Sequence, residues 1–267
     1  ALLVLSTIFV VTSKDNYKDE NRSIIPLQKW KFFYNLSFIS HDIDSINFSK
    51  ILENTMDVTV PYTWNRYDGQ DGDSDYAKIP CSYQTYYNHD IDSNKRIFIE
   101  FCGSNLKTTV YVNGKKVGYH VGGFAKFRFE ITSELKKSDN LITVVVDNSN
   151  NLEYYPYTAD FTFFGGIYRN VNLISVSKLH FTLTDYGSKS LYIKPNATTG
   201  EVEINCSITN DECQNKVKVK YSIYDNKNSK VSETDSLFDR SNTNSVKVKI
   251  NNFHLWQGRK DPFLYRL

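Results

Sequence analysis

Along most of this chain apolar and polar positions alternate one for one, the mark of strands that bury one face and wet the other. Phe127, Phe129 and Ile131 are separated by Arg128 and Glu130. Val202, Ile204, Cys206 and Ile208 are separated by Glu203, Asn205 and Ser207. Leu179, Phe181 and Leu183, then Val217, Val219, Tyr221 and Ile223, then Val246, Val248 and Ile250 repeat the pattern. Leu141 to Val146 is instead nearly continuous apolar chain, which predicts a strand covered on both faces. Trp30 to Phe32, Ile97 to Phe101 and Thr109 to Val112 add further extended pieces. Val58 to Val60 ends at Pro61, which cannot continue a central strand. Ser40 to Asn54 reads as a polar loop or a short helix, and Ser133 to Lys136 as one helical turn at most.

The punctuation between these segments is specific. Asn113-Gly114 predicts a type I′ hairpin turn, because both central residues need positive φ. Gly118, Gly122 and Gly123 mark bends around Tyr119-His120. Gly165-Gly166 lets the backbone turn sharply between two extended segments, and Val171 and Leu173 then fall on one face of a strand. Two charges flank that bend among many rings: Asp160 before it and Arg169 after it. The texture changes near Ser175 to Lys178, so the chain divides into a first domain at 24–176 and a second at 177–256. Several antiparallel strands joined by Asn/Ser/Asp turns within about a hundred residues indicate an immunoglobulin-like sandwich for the second. Residues 257–267 read as the start of a linker into something more. The fold class is all-β.

Composition narrows the partners. At 267 residues the chain holds one large or two ordinary domains, and 40% hydrophobic with 23% charged residues is ordinary globular material. An aromatic share of 15% suits sandwich cores and sugar-stacking surfaces. Lys and Arg number 32 against 30 Asp and Glu, well mixed, and no basic stripe argues for nucleic acid. Cys81, Cys102, Cys206 and Cys213 make no disulfide scaffold and complete no zinc pattern. Their reading is buried small apolar residues, with a Cys206–Cys213 disulfide as the alternative in a secreted chain. Asp71, Asp73 and Asp75 alternate as calcium ligands do, but Tyr76 and Ser82 stand where the loop needs Gly and Glu. No metal site is assigned. Leu2 to Val11 is too short to span a bilayer. With the small residues after it, the run reads as the remnant of a signal peptide over 1–13, the alternative being an N-terminal strand. Asn21, Asn35, Asn47, Asn196 and Asn205 each open an Asn-x-Ser/Thr triplet, weak support for secretion.

Seven pieces in order carry a resemblance. They are Val58-Thr-Val-Pro-Tyr-Thr-Trp64, Asp68-Gly-Gln-Asp-Gly72, Val110-Tyr-Val-Asn-Gly-Lys-Lys-Val-Gly118 and Gly122-Gly-Phe124 with Phe127. Asn140-Leu-Ile-Thr-Val-Val-Val-Asp-Asn148, Asp160-Phe-Thr-Phe-Phe-Gly-Gly-Ile-Tyr-Arg-Asn-Val171 and Trp256-Gln-Gly-Arg-Lys-Asp-Pro-Phe-Leu-Tyr265 complete the set. Together, over about Trp30 to Leu267, the chain resembles the N-terminal half of family 2 glycoside hydrolases, the β-galactosidase and β-glucuronidase family. The resemblance implies a jelly-roll-like sugar-binding sandwich, then the immunoglobulin-like domain, then a (β/α)8 barrel that holds the catalytic carboxylates. Retaining glycosidases need two such groups about 5–5.5 Å apart; in the family both are barrel glutamates, and no residue here matches either. The expectation is therefore no catalytic residue in this chain, which alone is inactive. No cofactor is required, and a cation bound elsewhere in a full enzyme is left open.

The resemblance further implies that Asp160 reaches into the barrel pocket to accept hydrogen bonds from sugar hydroxyls, a task suited to a carboxylate. Thr63 aligns with a position that approaches the same pocket. For Asp160 the competing reading is an internal partner for Arg169, since an unpaired buried Arg is costly. For Thr63 structural and sugar-contact readings stand even. Arg169, Gly165 and Gly166 are read as structural supports of the site. His89 and His120 read as satisfied turn residues, and Trp64 and Tyr157 as packing residues before sugar-stacking ones. Two departures stand out: Lys78-Ile-Pro-Cys-Ser-Tyr83 replaces the family's Gly, Trp and Tyr, and Asn170 replaces its Asp. The partners expected are a terminal β-glycoside and the C-terminal barrel. The alternative is a stand-alone carbohydrate-binding sandwich without turnover.

Overall fold

The computed structural model describes residues 22–36, 45–48, 55–68, 70, 76–88, 92–149, 162–210, 216–238 and 243–267, and the backbone alone of 11–12. Its strands, in chain order, begin with β1 (Val11–Thr12), β2 (Ser23–Pro26), β3 (Lys29–Phe33), β4 (Met56–Thr59), β5 (Pro80–Tyr87) and β6 (Lys95–Phe101). They continue with β7 (Lys107–Val112), β8 (Lys115–Val121), β9 (Phe127–Glu130), β10 (Asn140–Asp147), β11 (Val171–Ser177) and β12 (Leu179–Phe181). The last are β13 (Leu191–Pro195), β14 (Glu201–Asn210), β15 (Val217–Tyr224), β16 (Lys230–Phe238), β17 (Thr243–Lys249) and β18 (Tyr265–Arg266). The chain forms two compact units, divided between Ser177 and Lys178.

The first unit is a sandwich of two antiparallel sheets, ordered β4-β3-β5-β10-β7-β8 and β2-β11-β6-β9. Its core draws Trp30 and Phe32 from β3, Tyr83 from β5, Ile99 and Phe101 from β6, and Ile142 from β10. Each such side chain contributes about 1.5–3 kcal/mol when fully buried. The apolar run of β10 now has its reason. Ile142, Val144 and Val146 face the sandwich interior, while Val145 packs on the other face with Leu36, Ile46, Phe48 and Tyr111. β10 is hydrogen-bonded on one side to β5 and on the other to β7.

The β7–β8 hairpin turns on Asn113 and Gly114, at φ of 53° and 83°, as its sequence demands. The strand beyond that turn is less broken than its glycines suggest. β8 runs from Lys115 to Val121 through Gly118, Tyr119 and His120, with one register shift between Lys116 and Gly118, and the chain bends after it at Gly123–Ala125. Gly118 serves cross-layer packing instead, since a Cβ there would lie 2.7 Å from the Phe129 ring. The alternation also misplaces Arg128, which is buried rather than wet: its Nε sits 2.7 Å from the Glu100 carboxylate. Lys126 approaches the same carboxylate at 3.5 Å, and Asn172 donates to its other oxygen at 3.1 Å. An ion pair lets the strand bury a residue that periodicity assigns to solvent.

The second unit comprises Lys178–Leu267 and β1. One sheet runs β1-β18-β15-β16, with β1 parallel to β18; in the other, β14 pairs with β12, β13 and β17. Ile204, Ile208, Tyr221, Ile223, Phe238 and Tyr265 meet in its core. Two expectations change. Leu179 and Phe181 are about half exposed, at 47% and 49%, because β12 is only three residues long and pairs only with the end of β14. Residues 257–267 do not merely leave the sandwich, for Tyr265 is buried in it and Arg266 pairs with Tyr224 of β15. Cys206 is a buried free thiol within β14, while Cys213 lies outside the described residues.

Candidate functional site

The Gly165-Gly166 segment is fastened from every side. Gly166 exchanges backbone hydrogen bonds with Asn105 at 2.9 and 3.0 Å, and Tyr62 N–H donates to Ile167 O at 2.8 Å. The Asn105 side chain donates to Phe164 O at 3.0 Å. The Tyr83 hydroxyl donates to Tyr62 O at 3.1 Å and accepts from Ile167 N–H at 3.4 Å. The two glycines do different work. Gly166 has φ of +107°, a conformation L side chains rarely adopt. Gly165 does not share it; a Cβ there would instead meet Trp64 at 2.3 Å and Asn148 at 2.5 Å. The first glycine is needed for space and the second for backbone shape.

Asn65, fully buried, ties the loop after β4 to this segment. Its Oδ1 accepts from Gly165 N–H at 2.7 Å and from Asn148 Nδ2 at 3.4 Å. Its Nδ2 donates to Asp68 at 2.7 Å and to Ala77 O at 2.9 Å. All four hydrogen-bonding positions of the amide are thus used. Asn148, just past the end of β10, also accepts from Ile79 N–H at 2.9 Å. Trp64 stacks on Phe32 with ring centres 6.2 Å apart and donates to Ala77 O at 3.1 Å, so it packs inward. Burial raises the pKa of Tyr83 well above its ordinary value, with a hydrogen bond from Ile167 opposing. Burial raises Tyr62 likewise, with the Arg66 charge opposing.

Of the residues singled out in the sequence, Thr63 is half-buried at the head of this loop. Its hydroxyl oxygen accepts from Asn65 N–H at 3.2 Å. Arg169 is exposed. It donates to Phe124 O at 2.9 Å and Cys102 O at 3.3 Å and lies over the Tyr168 ring. The Tyr168 hydroxyl donates to Gly123 O, so both side chains hold the Gly122–Phe124 bend against the hub. Asp160, Tyr157 and His89 lie outside the described residues, as do Asp71, Asp73 and Asp75. His120 belongs to β8 rather than a turn. It stacks on Phe127 at 4.1 Å, and burial lowers its pKa against an opposing interaction with the Gly122 backbone. Its buried Nε2 has no hydrogen-bond partner among the described residues. No three His, Cys, Asp or Glu side chains converge among the described residues.

Sequence reasoning did not single out Asn65, Asn105 or Arg66. Asn65 stands next to the quoted Thr63-Trp64, and its asparagine in a turn-rich loop was the available signal. Arg66 is exposed with its guanidinium 5.2 Å from the Tyr62 ring centre and 4.7 Å from that of Tyr67. Tyr67, Phe124 and Phe164 also present their rings to solvent, at 62%, 57% and 44% exposure. The exposed groups on these loops are thus the guanidiniums of Arg66 and Arg169 and the rings of Tyr67, Phe124 and Phe164.

Comparison with known proteins identifies the family. The family model described as "Glycosyl hydrolases family 2, sugar binding domain" matches residues 28–177, and that described as "Glycosyl hydrolases family 2" matches 189–267. A β-glucuronidase of Bacteroides fragilis is 26% identical over 272 residues, which cover 98% of this chain and 37% of that protein. A β-galactosidase of Thermoanaerobacter pseudethanolicus is 29% identical over 181 residues, covering 65% of this chain and 23% of its own length. Among solved structures, a candidate β-galactosidase from Bacteroides fragilis superposes with a TM-score of 0.80 at 30% identity, over 92% of this chain and 38% of that one. The chain thus spans little more than a third, or less, of these relatives. With the first model matching more than half of its residues and the second most of the remainder, the chain belongs to family 2 of the glycosyl hydrolases.

Proposed function

We propose that this chain is the non-catalytic N-terminal part of a retaining exo-glycosidase acting on terminal β-glycosides, β-galactosidase-like in character. Its role is to complete the glycone pocket of a following (β/α)8 barrel and to brace that barrel. The observation that carries this reading is the fastening of residues 164–169. Phe164, Gly165, Gly166, Ile167, Tyr168 and Arg169 are each tied by hydrogen bonds to other loops of the first unit. Asp160, four residues before Phe164 in the sequence, is the residue we assign to accept bonds from sugar hydroxyls.

The exposed rings of Tyr67, Phe124 and Phe164 favour a second reading, a carbohydrate-binding sandwich that acts without turnover. One experiment separates the two. In the full-length gene product, Asp160→Ala should lower kcat/KM for a chromogenic β-glycoside by at least about 100-fold, the scale of losing charge-assisted bonds strengthened in the transition state. A rate within about threefold of the parent protein would remove Asp160 from the site. Glycan binding by a gene product that never hydrolyses would favour the second reading.

A further inference from the structure

Two of the Asn-x-Ser/Thr triplets lie wholly within the described residues, Asn196-Ala-Thr198 and Asn205-Cys-Ser207, and the fold treats them differently. Asn196 opens the turn that joins β13 to β14. Its N–H donates to Glu201 O at 2.8 Å, and its backbone carbonyl accepts from Gly200 N–H at 2.9 Å. Its side-chain Oδ1 accepts from the N–H groups of Thr198 and Thr199 at 2.9 and 3.1 Å. A planar amide anchored through its oxygen directs its nitrogen, the other arm of the group, away from those donors. Asn196, Thr198 and Thr199 are exposed, while Ala197 among them packs on the core of the second unit. The base of the turn is fixed. Gly200 O accepts from Ile250 N–H at 2.9 Å, and a Cβ at Gly200 would collide with the Phe253 ring.

Asn205 instead stands within β14, opposite Tyr192 of β13 on one side and Ser245 of β17 on the other. It is half-buried, donates to the Glu203 carboxylate at 3.3 Å, and is followed by the buried Cys206. To enter a modifying enzyme, the chain at Asn205 must leave a ladder bonded on both sides, whereas Asn196 need only open its own turn. We propose that Asn196 is an N-glycosylation site that receives an oligosaccharide from a lipid diphosphate donor, and that the fold selects it over Asn205. This rests on the reading that the chain passes through a secretory compartment. In the transfer, a bond forms between Asn196 Nδ2 and the anomeric carbon as that carbon's bond to the diphosphate oxygen breaks. The lipid diphosphate leaves with the electron pair, and Nδ2 gives a proton to a base of the transferase. A glycan placed there stands off the hairpin tip in water and displaces nothing from the core.

The test uses the full-length gene product, exported from yeast cells behind a foreign secretion leader. Amidase removal of N-glycans in heavy-oxygen water leaves a labelled Asp at each modified Asn, and a glutamate-specific protease separates the two triplets at Glu201 and Glu203. The peptide with Asn196 should carry the label, and the peptide with Asn205 should not. Thr198→Ala should abolish the label without disturbing the turn, because backbone N–H groups hold Asn196 Oδ1, and Thr198→Ser should keep it. An unlabelled Asn196, or a label at Asn205 as full as that at Asn196, would overturn the assignment. The same digest of the protein purified from its own source tests the compartment. A labelled Asn196 there supports the proposal. A bare one, beside a labelled yeast product, overturns it for the natural protein and traces the failure to the secretory reading rather than to the turn.

Discussion

Two adjacent glycines in this chain answer to different constraints, and only one of them is visible in a local reading. Gly166, at φ of +107°, is the residue a bend rule finds. Gly165 is required because Trp64 and Asn148 occupy the space of its Cβ, and these come from positions 101 residues before and 17 before it. No window of sequence contains that information. The same holds for Asn65, whose value lies in a partner 100 residues on. Gly165→Ala should therefore destabilise the chain by about 3 kcal/mol, at the upper end of overpacking costs, since the atoms it meets are buried and fixed. Gly114→Ala is the control: a Cβ there meets nothing within 4 Å, and only the φ of +83° is strained, at a cost of about 1 kcal/mol. Urea unfolding of the two variants should show a clearly larger fall in midpoint for Gly165→Ala; equal falls would deny the packing explanation.

At the level of strands, legibility followed burial. β10 was recognisable because both its faces are apolar, and the β7–β8 turn because Asn113-Gly114 can do little else. β9 was found, but Arg128 on its polar face is buried while Glu130 is exposed, since Glu100 of β6 meets Arg128 across the ladder. Opposite charges on separate strands, each amid apolar neighbours, look like ordinary alternation until the pairing register is known. Burial pushes the Glu100 carboxyl up, yet the bonds from Arg128 and Asn172 and the charges of Arg128 and Lys126 outweigh it and leave its pKa below the ordinary value. A carboxylate with a depressed folded pKa contributes stability above its unfolded pKa of about 4.3 and loses that contribution as pH falls towards the folded value. Glu100→Gln removes the ionised partner that Arg128 and Lys126 share and should cost about 3 kcal/mol at pH 7. The gap between parent and variant in urea unfolding should narrow as pH is lowered from about 5 to about 3; a constant gap would show that the ionised pair is not its source.

For the molecule as a whole, the order of the motifs conveyed the family while the geometry of the site depended on long-range contacts. Seven short pieces named two sandwiches, yet Arg66, Asn65 and Asn105 emerged only when separate loops were brought together. The acids of a retaining mechanism are assigned by resemblance to a barrel, so the 267-residue chain produced alone should fold and release no p-nitrophenol from chromogenic β-glycosides. Turnover above the uncatalysed rate, abolished by a substitution within this chain, would place the chemistry here instead. β8 is the outer strand of the six-stranded sheet, and it is suited to that place. Its ladder slips register opposite Val110 and Tyr111, and Lys115 and Lys116 stand at its start. A kinked margin bearing cations is a poor template for a neighbouring molecule's backbone, so this border resists the edge-on stacking that leads to aggregates.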